Sequence, residues 1–389
     1  MPELDHRKIL DAIRSCLPLE RQQAALHEPL FAGNEWKYVK DCIDTGWVST
    51  AGEYVGRFET MLAEYTGAKH AIAAVNGTAA LHICLLLAGV RPGDEVLIPS
   101  LTFIATANAV SYCSAIPHFA DSEERTLGMD PVALAAYLEK IAEVRGGECV
   151  NLQTGRVIRA VMPMHTFGHP VDLDPLVALC ERFHIALVED AAESLGSRYK
   201  GRHTGNDGVV AGLSFNGNKT VTTGGGGAII TNDPDLARRA KHLTTTARLA
   251  KGYEFVHDEV GYNYRLPNIN AALGLAQLEQ LPGFVARKRR LAARYEGALR
   301  PVPGVRYFVE APFAESNYWL NALLLDRPGI AERNALLDFL NANGIGARPV
   351  WNLMHELPIY AGSPRMELTT AIELAARIVN IPSSVFLSD

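Results

Sequence analysis

Long apolar runs are missing from this chain. The longest, Ile83 to Val90, is far too short to span a bilayer. The opening stretch, MPELDHRKILDAIRSCLP, has neither an uninterrupted apolar core nor a small-residue cleavage site, so no export signal and no membrane partner are expected. Cysteine is sparse. Six residues (Cys16, Cys42, Cys84, Cys113, Cys149 and Cys180) are scattered without a CxxC pair, which argues for reduced, structural thiols and a cytoplasmic setting. A basic excess is lacking too: 37 Lys and Arg stand against 43 Asp and Glu, a net charge of -6, so a nucleic-acid partner is not expected. The one basic run, Arg287-Lys288-Arg289-Arg290, falls in a helical pattern and reads as a solvated face. No internal repeat or low-complexity tract is visible.

What is present is globular. A chain of 389 residues is too long for one simple core and suits two unequal domains. Between residues 70 and 232, short apolar runs alternate with helical patterns. The strand-like runs are His70–Val75, Glu95–Pro99, Ile116–Ala120, Val157–Pro163, Ile185–Glu189, Ala211–Phe215 and Gly227–Thr231. Several are near-continuous in Val, Ile, Leu and Ala, as strands buried on both faces require. Helical patterns such as Thr78–Leu87 and Asp174–Phe183 separate them, so an α/β fold with a mainly parallel sheet is expected. Beyond that region, Asn268–Leu281 and Phe284–Leu299 read as two helices. A strand (Tyr318–Leu325), a helix (Ile330–Asn343), an extended piece near 346–350 and a last helix (Leu368–Val379) follow. The expected organisation is a large α/β domain over 1–280 and a small C-terminal α+β domain over 281–389.

Three segments carry chemistry. In Leu187-Val188-Glu189-Asp190, a hydrophobic strand delivers Asp190 at its carboxyl end, the edge where open α/β sheets bind ligands. Ser214-Phe215-Asn216-Gly217-Asn218-Lys219 follows another strand, which places a lysine at that same edge. Asn76-Gly77-Thr78 joins a strand to a helix and offers free N–H groups, a hydroxyl and the positive end of the helix dipole, a combination suited to phosphate. Pyridoxal 5′-phosphate (PLP) needs a lysine for its imine, a carboxylate against its pyridine nitrogen and a phosphate cup. Phe103, just after another strand, is placed to cover the ring.

Taken singly, each element has an ordinary reading. Asp190 alone is a helix cap, Lys219 a surface lysine, Gly77-Thr78 a tight turn and the run Gly224–Gly227 a loop. It is their joint occurrence on successive strand ends that points to a cofactor. A rival reading is the P-loop, since Gly212 to Thr220 is one residue away from that pattern. There the lysine opens a helix, and four glycines soon after Lys219 oppose one, at roughly 1 kcal/mol each relative to alanine. His165 and His169 have the i, i+4 spacing of a metal pair, but Gly168 and Pro170 argue against a helix there, so no metal is expected. His165 is still expected near the pocket.

The stretches NGTAAL (76–81), PSLTFIATANAV (99–110), VEDAAESLGS (188–197), LSFNGNKTVTTGGGGAIIT (213–231) and GYNYRLPNINAALGLAQL (261–278) together resemble the DegT/DnrJ-type nucleotide-sugar aminotransferases. The likeness runs from about Gly33 to Ser384. It implies a fold-type I PLP enzyme, similar in architecture to aspartate aminotransferase. By the same resemblance, Lys219 matches the Schiff-base lysine and Asp190 the carboxylate on the ring nitrogen. Gly77, Thr78 and Ser214 match the phosphate cup, and Phe103 the stacking aromatic. Asn263 matches an asparagine that reaches the neighbouring subunit's cofactor, which implies a homodimer with shared active sites. Glu193 stands where many members carry His or Gln, near the ring's phenolic oxygen, and a carboxylate there must be protonated or water-bridged. Relatives with His in place of Lys219 dehydrate their substrates, so the lysine favours amino transfer over a sugar dehydratase or a non-catalytic PLP-binding protein.

The resemblance further implies L-glutamate as donor and a nucleotide-linked 4-keto-6-deoxy sugar as acceptor. Lys219 would act as base and acid in both halves of the reaction. Trp47 and Ser49 lie in a stretch similar to the family's sugar-side loop, and Trp351 and His355 in one similar to its substrate-facing C-terminal stretch; packing is the alternative reading for both tryptophans. EDAAES, SFNGNK and a long N-terminal helix before Gly33 look most like enzymes acting on UDP-linked sugars that lead to bacillosamine or legionaminic acid in bacterial surface glycans, with GDP- and dTDP-linked sugars left open.

Overall fold

The computed structural model describes residues 4–21, 23–251 and 253–388. Its centre is a seven-stranded sheet. In chain order the strands are β1 (His70–Ala74), β2 (Glu95–Pro99), β3 (Ile116–Ala120), β4 (Ile158–Val161), β5 (Ala186–Asp190), β6 (Val210–Ser214) and β7 (Gly227–Thr231). Across the sheet they run β1-β7-β6-β5-β4-β2-β3. All neighbours are parallel except β7, which is antiparallel to both β1 and β6. The mainly parallel α/β sheet read from the apolar runs is therefore present, with each strand within two residues of its expected bounds. Alternate residues feed opposite layers: Val210 and Ile229 pack with the helices Gly77–Leu87 and Ile104–Tyr112, while Ala211 and Ile230 pack against Phe58 and Leu275.

A four-stranded antiparallel sheet forms the smaller C-terminal layer. Its strands are β8 (Val305–Tyr307), β9 (Asn321–Leu325), β10 (Arg348–Pro349) and β11 (Ile378–Ile381), in the order β8-β9-β11-β10. The N-terminal helix His6–Ser15 packs here through Ile9, Leu10 and Ile13, against Leu291, Leu336 and Val379. It has only ten residues, shorter than the long N-terminal helix expected.

Three further sequence expectations fail, each for a packing reason. The pair of helices expected after residue 268 is one helix, Asn268–Leu299, with Pro282 inside it. Proline costs a helix interior about 3 kcal/mol. Leu275, Leu278, Leu281, Phe284, Leu291, Tyr295 and Leu299 nevertheless form one buried stripe on both sides of it. At roughly 1.5–3 kcal/mol for each such side chain, that stripe outweighs the proline. The 280/281 division lies inside this helix, which links the two layers. Second, the helix expected over Leu368–Val379 ends at Ala375, because the β-branched run at 378–381 is drawn into the middle of the small sheet. Third, the basic run is not a solvated face: Lys288 is fully buried and donates to the carbonyls of Trp319 (3.2 Å) and Ser383. Among the described residues no helix is long and apolar enough to cross a membrane, and all six cysteines are buried and unpaired.

Candidate active site

The carboxyl ends of the parallel strands, with the amino end of the antiparallel β7, open on a cavity of about 270 Å³. Gly77, Thr78, Phe103, Asp190, Glu193, Ser214, Lys219 and Trp351, anticipated from different parts of the chain, all line it. The sheet explains why. β5 and β6 are neighbours, with Asp190 opposite Gly212, so the turns that follow them are adjacent. β7 lies between β6 and β1, with Gly227 opposite both Ser214 and Ala74. Glycine is required in this crowd. A Cβ on Gly227 would lie 2.4 Å from the Asn76 carbonyl oxygen, and one on Gly77 would lie 2.8 Å from the Ser214 Cβ.

Asn76 caps the helix Gly77–Leu87, its Oδ1 accepting from the Ala79 N–H at 2.8 Å. That leaves the earliest N–H groups of this eleven-residue helix facing the cavity beside the Thr78 side chain. Lys219 sits in a turn, its N–H bonded to the Asn216 carbonyl, and no helix begins there, so the P-loop alternative lacks its geometry.

Asp190 is 2% exposed. Its Oδ2 accepts from the Thr106 hydroxyl at 2.7 Å and its Oδ1 from the Ala192 N–H at 3.2 Å. Burial raises its proton affinity, and those two donors and the Lys219 charge only partly offset the rise. Glu193, also buried, receives the Lys219 Nζ on Oε1 at 3.3 Å and the Phe167 N–H on Oε2 at 2.9 Å. Burial pushes its carboxyl up to about 7, against the pull of the lysine charge. A carboxyl titrating there is protonated for part of the time at neutral pH.

Sequence reasoning missed three neighbours. Trp319 lies under the lysine, whose Nζ is 3.9 Å from the ring centroid. Thr106, in the first turn of the helix that follows Phe103, is marked in sequence only by its closeness to that aromatic residue. Asn317 donates to the Glu193 carbonyl at 2.9 Å, and nothing local in the sequence marks it.

Other anticipated residues lie apart. His165 does not reach the cavity: its Nδ1 accepts from the Val171 N–H at 3.2 Å, which leaves Nε2 to donate to Glu189 at 3.0 Å. His169 is enclosed by Phe308 and Tyr318, so the two histidines share no ligand position. His355 is bonded to the Ser100 hydroxyl at 2.8 Å and is outside the lining. Trp47 and Ser49 lie on an exposed loop whose carbonyls bond Asn268, and Asn263 is exposed as well. None of these three lines the cavity of its own chain.

The residues present fit PLP. A buried carboxylate with spare accepting capacity, a lysine whose nitrogen touches the cavity and an open helix N-terminus share one space. Comparison with known proteins agrees. The DegT/DnrJ/EryC1/StrS aminotransferase family model matches residues 30–389. The GDP-perosamine synthase of Caulobacter vibrioides is 38% identical over 93% of each chain. The putative pyridoxal phosphate-dependent aminotransferase EpsN of Bacillus subtilis is 38% identical over 86% of this chain and 83% of its own. The crystal structure of a DegT DnrJ EryC1 StrS aminotransferase from Brucella abortus superposes with a TM-score of 0.82 at 28% identity, covering 92% of this chain and 91% of that one. The chain therefore belongs to the DegT/DnrJ/EryC1/StrS aminotransferase family, whose members are PLP-dependent.

Proposed function

We propose that this enzyme holds PLP on Lys219 and moves an amino group from L-glutamate to a nucleotide-linked 4-keto-6-deoxy sugar that serves bacterial surface glycan synthesis. The observation that carries this reading is the convergence of Lys219, Asp190, Glu193 and the Asn76-capped helix on one cavity. When bound, PLP supplies a reactive aldehyde and an electron-accepting ring.

The protein's own groups divide the remaining work. Asp190 would hold the proton on the ring nitrogen, and that cationic N–H would give its buried charge a partner. The N–H groups at Gly77 and Thr78, with the Ser214 hydroxyl, receive the phosphate. Lys219 Nζ would carry a proton from the donor's α-carbon to the cofactor carbon that receives the amino group, and in the second half from that carbon to the sugar carbon that gains nitrogen. Glu193, titrating near neutrality and 3.3 Å from that nitrogen, takes up or returns the proton at Nζ. The Trp319 face stabilises the lysine while it is charged.

We place Asn263, Trp47 and Ser49 in the partner's active site of a homodimer. Their exposure and their absence from the lining of their own chain's cavity support this. The buried, unpaired cysteines support a reducing, cytoplasmic setting. For the nucleotide, the Glu193-containing EDAAES stretch and SFNGNK favour a UDP-linked substrate on the way to bacillosamine- or legionaminic-type sugars. The name of the GDP-perosamine synthases makes a GDP-linked sugar the rival.

The test is a spectral titration of the PLP form with L-glutamate, then recovery of the lysine-bound cofactor's absorption band with a panel of UDP-, GDP- and dTDP-linked keto sugars. Amino sugar with 2-oxoglutarate supports transfer; deoxygenated sugar with ammonia means dehydration. Lys219→Ala should lose the band and at least about 10⁴-fold in turnover. Normal turnover by that variant would end the reading.

A further inference from the structure

Trp319 ends a short strap, residues 316–319, that runs beside the cavity. Within it Tyr318 has a φ of 48°, a left-handed conformation that is strained for a bulky side chain and persists only where the surroundings impose it. One helix holds the strap at both ends. Arg289 donates to the Ser316 carbonyl at 2.7 Å and is itself fixed on both oxygens of Glu310. Lys288, the residue before it, donates to the Trp319 carbonyl at 3.2 Å. Bent in this way, the strap sends two side chains to the site. Asn317 reaches the carbonyls of Glu193 and Leu195 at 2.9 and 2.8 Å. Trp319 lies against Lys219, its indole N–H on the Asn218 carbonyl at 2.7 Å.

An amine is an unfavourable occupant of position 288. The residue is fully buried in the helix stripe, where an apolar side chain of the same length would pack without desolvating a charge. Among the described residues no carboxylate pairs with it, and burial brings its amine down to about 7. What the amine adds is direction. Its second bond, to the Ser383 carbonyl, ties the strap to a segment that is itself secured: the Ser383 N–H donates to the Leu26 carbonyl at 2.8 Å, and its hydroxyl takes the Asn321 N–H at 2.7 Å. A neutral amine keeps two N–H groups for the two carbonyls, so the clamp outlasts the charge. Lys288 and Lys219 thus meet opposite ends of one residue, the carbonyl and the ring of Trp319. Both charges also act on the buried ring of His27, which burial above all keeps neutral.

We propose that Lys288 is a positioning residue for the reactive amine: by holding the Trp319 carbonyl it keeps the indole face against Lys219. The inference rests on the aminotransfer reading above and adds a residue to it. A ring face 3.9 Å from an ammonium favours the charged form. When the strap relaxes, that face withdraws, and Lys219 gives up its proton more readily. A direct action of the Lys288 charge has the opposite sign. A nearby cation disfavours a second one, so its removal would make Lys219 hold its proton more tightly. Glu193 and Asp190, the acids that act on Lys219, stay in place in either case. The direction of the change therefore separates positioning from charge.

Full-length chains carrying Lys288→Met, Trp319→Leu or both give the test. In the cofactor-free protein, methylation of Lys219 by formaldehyde and cyanoborohydride is followed over pH by peptide mass spectrometry. Its midpoint should lie about one pH unit lower in each single variant and no lower in the pair. In the holoenzyme, turnover should fall about tenfold in each, while the glutamate concentration for half-conversion stays within about twofold. The pair should lose no more than about twofold beyond the larger single loss, as residues acting through one contact do. Lys288→Arg, which keeps two donors, should restore part of the turnover. A midpoint moved to higher pH in Lys288→Met would assign the effect to charge and overturn the proposal, and so would losses that multiply to about a hundredfold in the pair. An unmoved midpoint in Trp319→Leu overturns it alone, whether or not Lys288→Met folds. If no amino acid converts the wild-type holoenzyme, the aminotransfer reading falls, and the midpoints of the cofactor-free protein still judge the clamp. If glutamate converts it and the midpoints do not move, the clamp alone falls.

Discussion

Two adjacent carboxylates on β5, Glu189 and Asp190, face opposite sides of the sheet and lead opposite lives. Glu189 is completely buried behind the site and receives the N–H groups of Gly205 (2.7 Å), Asp207 (2.9 Å) and Gly208 (2.8 Å), together with His165 at 3.0 Å. Burial raises its proton affinity, but His165 and the backbone donors outweigh burial and bring it below the usual value. Asp190 is nearly as buried, has two donors, and ends above the usual value. Burial alone therefore does not decide the charge of an acid; the number of donors does. The back of the sheet is a finished structure, whereas the cleft is left short of partners, and that shortage is what the proposed pairing of Asp190 with a cationic ring nitrogen would relieve.

The sharpest way to break this comparison is to neutralise each acid in turn. Asp190→Asn should fold with near wild-type stability but lose about 10³-fold in turnover and bind PLP weakly, because its charge matters only to the ligand. Glu189→Gln should do the reverse. It replaces an acceptor of four hydrogen bonds and should cost about 3 kcal/mol of unfolding free energy, while any folded fraction keeps most of its turnover. Parallel denaturant titrations and turnover measurements separate the two. Equal stability losses in both variants would abolish the distinction between the faces.

The cleft was more legible in sequence than the frame that supports it. Asp190, Lys219 and the Gly77-Thr78 turn were found because each needs a particular residue type directly at a strand end, a local requirement that strand patterning exposes. Trp319 and Asn317 were not found. They arrive from the C-terminal half through tertiary packing, and a tryptophan or asparagine in an apolar stretch carries no local signature of a cofactor wall. The fold shows the same division. Runs rich in Val, Ile and Ala gave the large sheet, while the helix that passes through Pro282 and the strand at 378–381 were decided by partners far along the chain. Lys288 is the plainest case: in sequence it is one of four basic residues, and only the helix stripe carries it inside.

Glu193 sharpens the comparison from within the cleft. Its folded carboxyl titrates at about 7 and its unfolded one near 4.5, so the folded protein binds the extra proton between those values. The stabilising contribution is complete below about 4.5 and is lost as pH rises through 7, the opposite direction from Glu189. Across that window the cofactor-free wild type should lose roughly 3 kcal/mol of stability relative to Glu193→Gln. The difference should be level above pH 8. Unfolding of both proteins between pH 5 and 8 reads it directly, and a flat difference would mean that Glu193 stays ionised. In turnover, the same variant should lose an inflection near neutrality.

The smallest change tests whether donor number, rather than burial, sets Asp190. Thr106→Val keeps the shape of the side chain and removes the 2.7 Å donor on Oδ2. One hydrogen bond to a charged acceptor contributes about 1.5–3 kcal/mol, and part of that returns because the Thr102 hydroxyl, 2.7 Å from Thr106, is freed to rotate. Asp190, with one donor fewer, should take up protons more readily, so the acid limb of the turnover profile should move to higher pH and turnover at neutral pH should fall about tenfold. Removing a donor leaves the burial of Asp190 unchanged, so a displaced acid limb assigns the effect to the hydrogen bond. An unmoved limb with the same tenfold loss would show that Thr106 acts on ring position instead of on the charge of the acid.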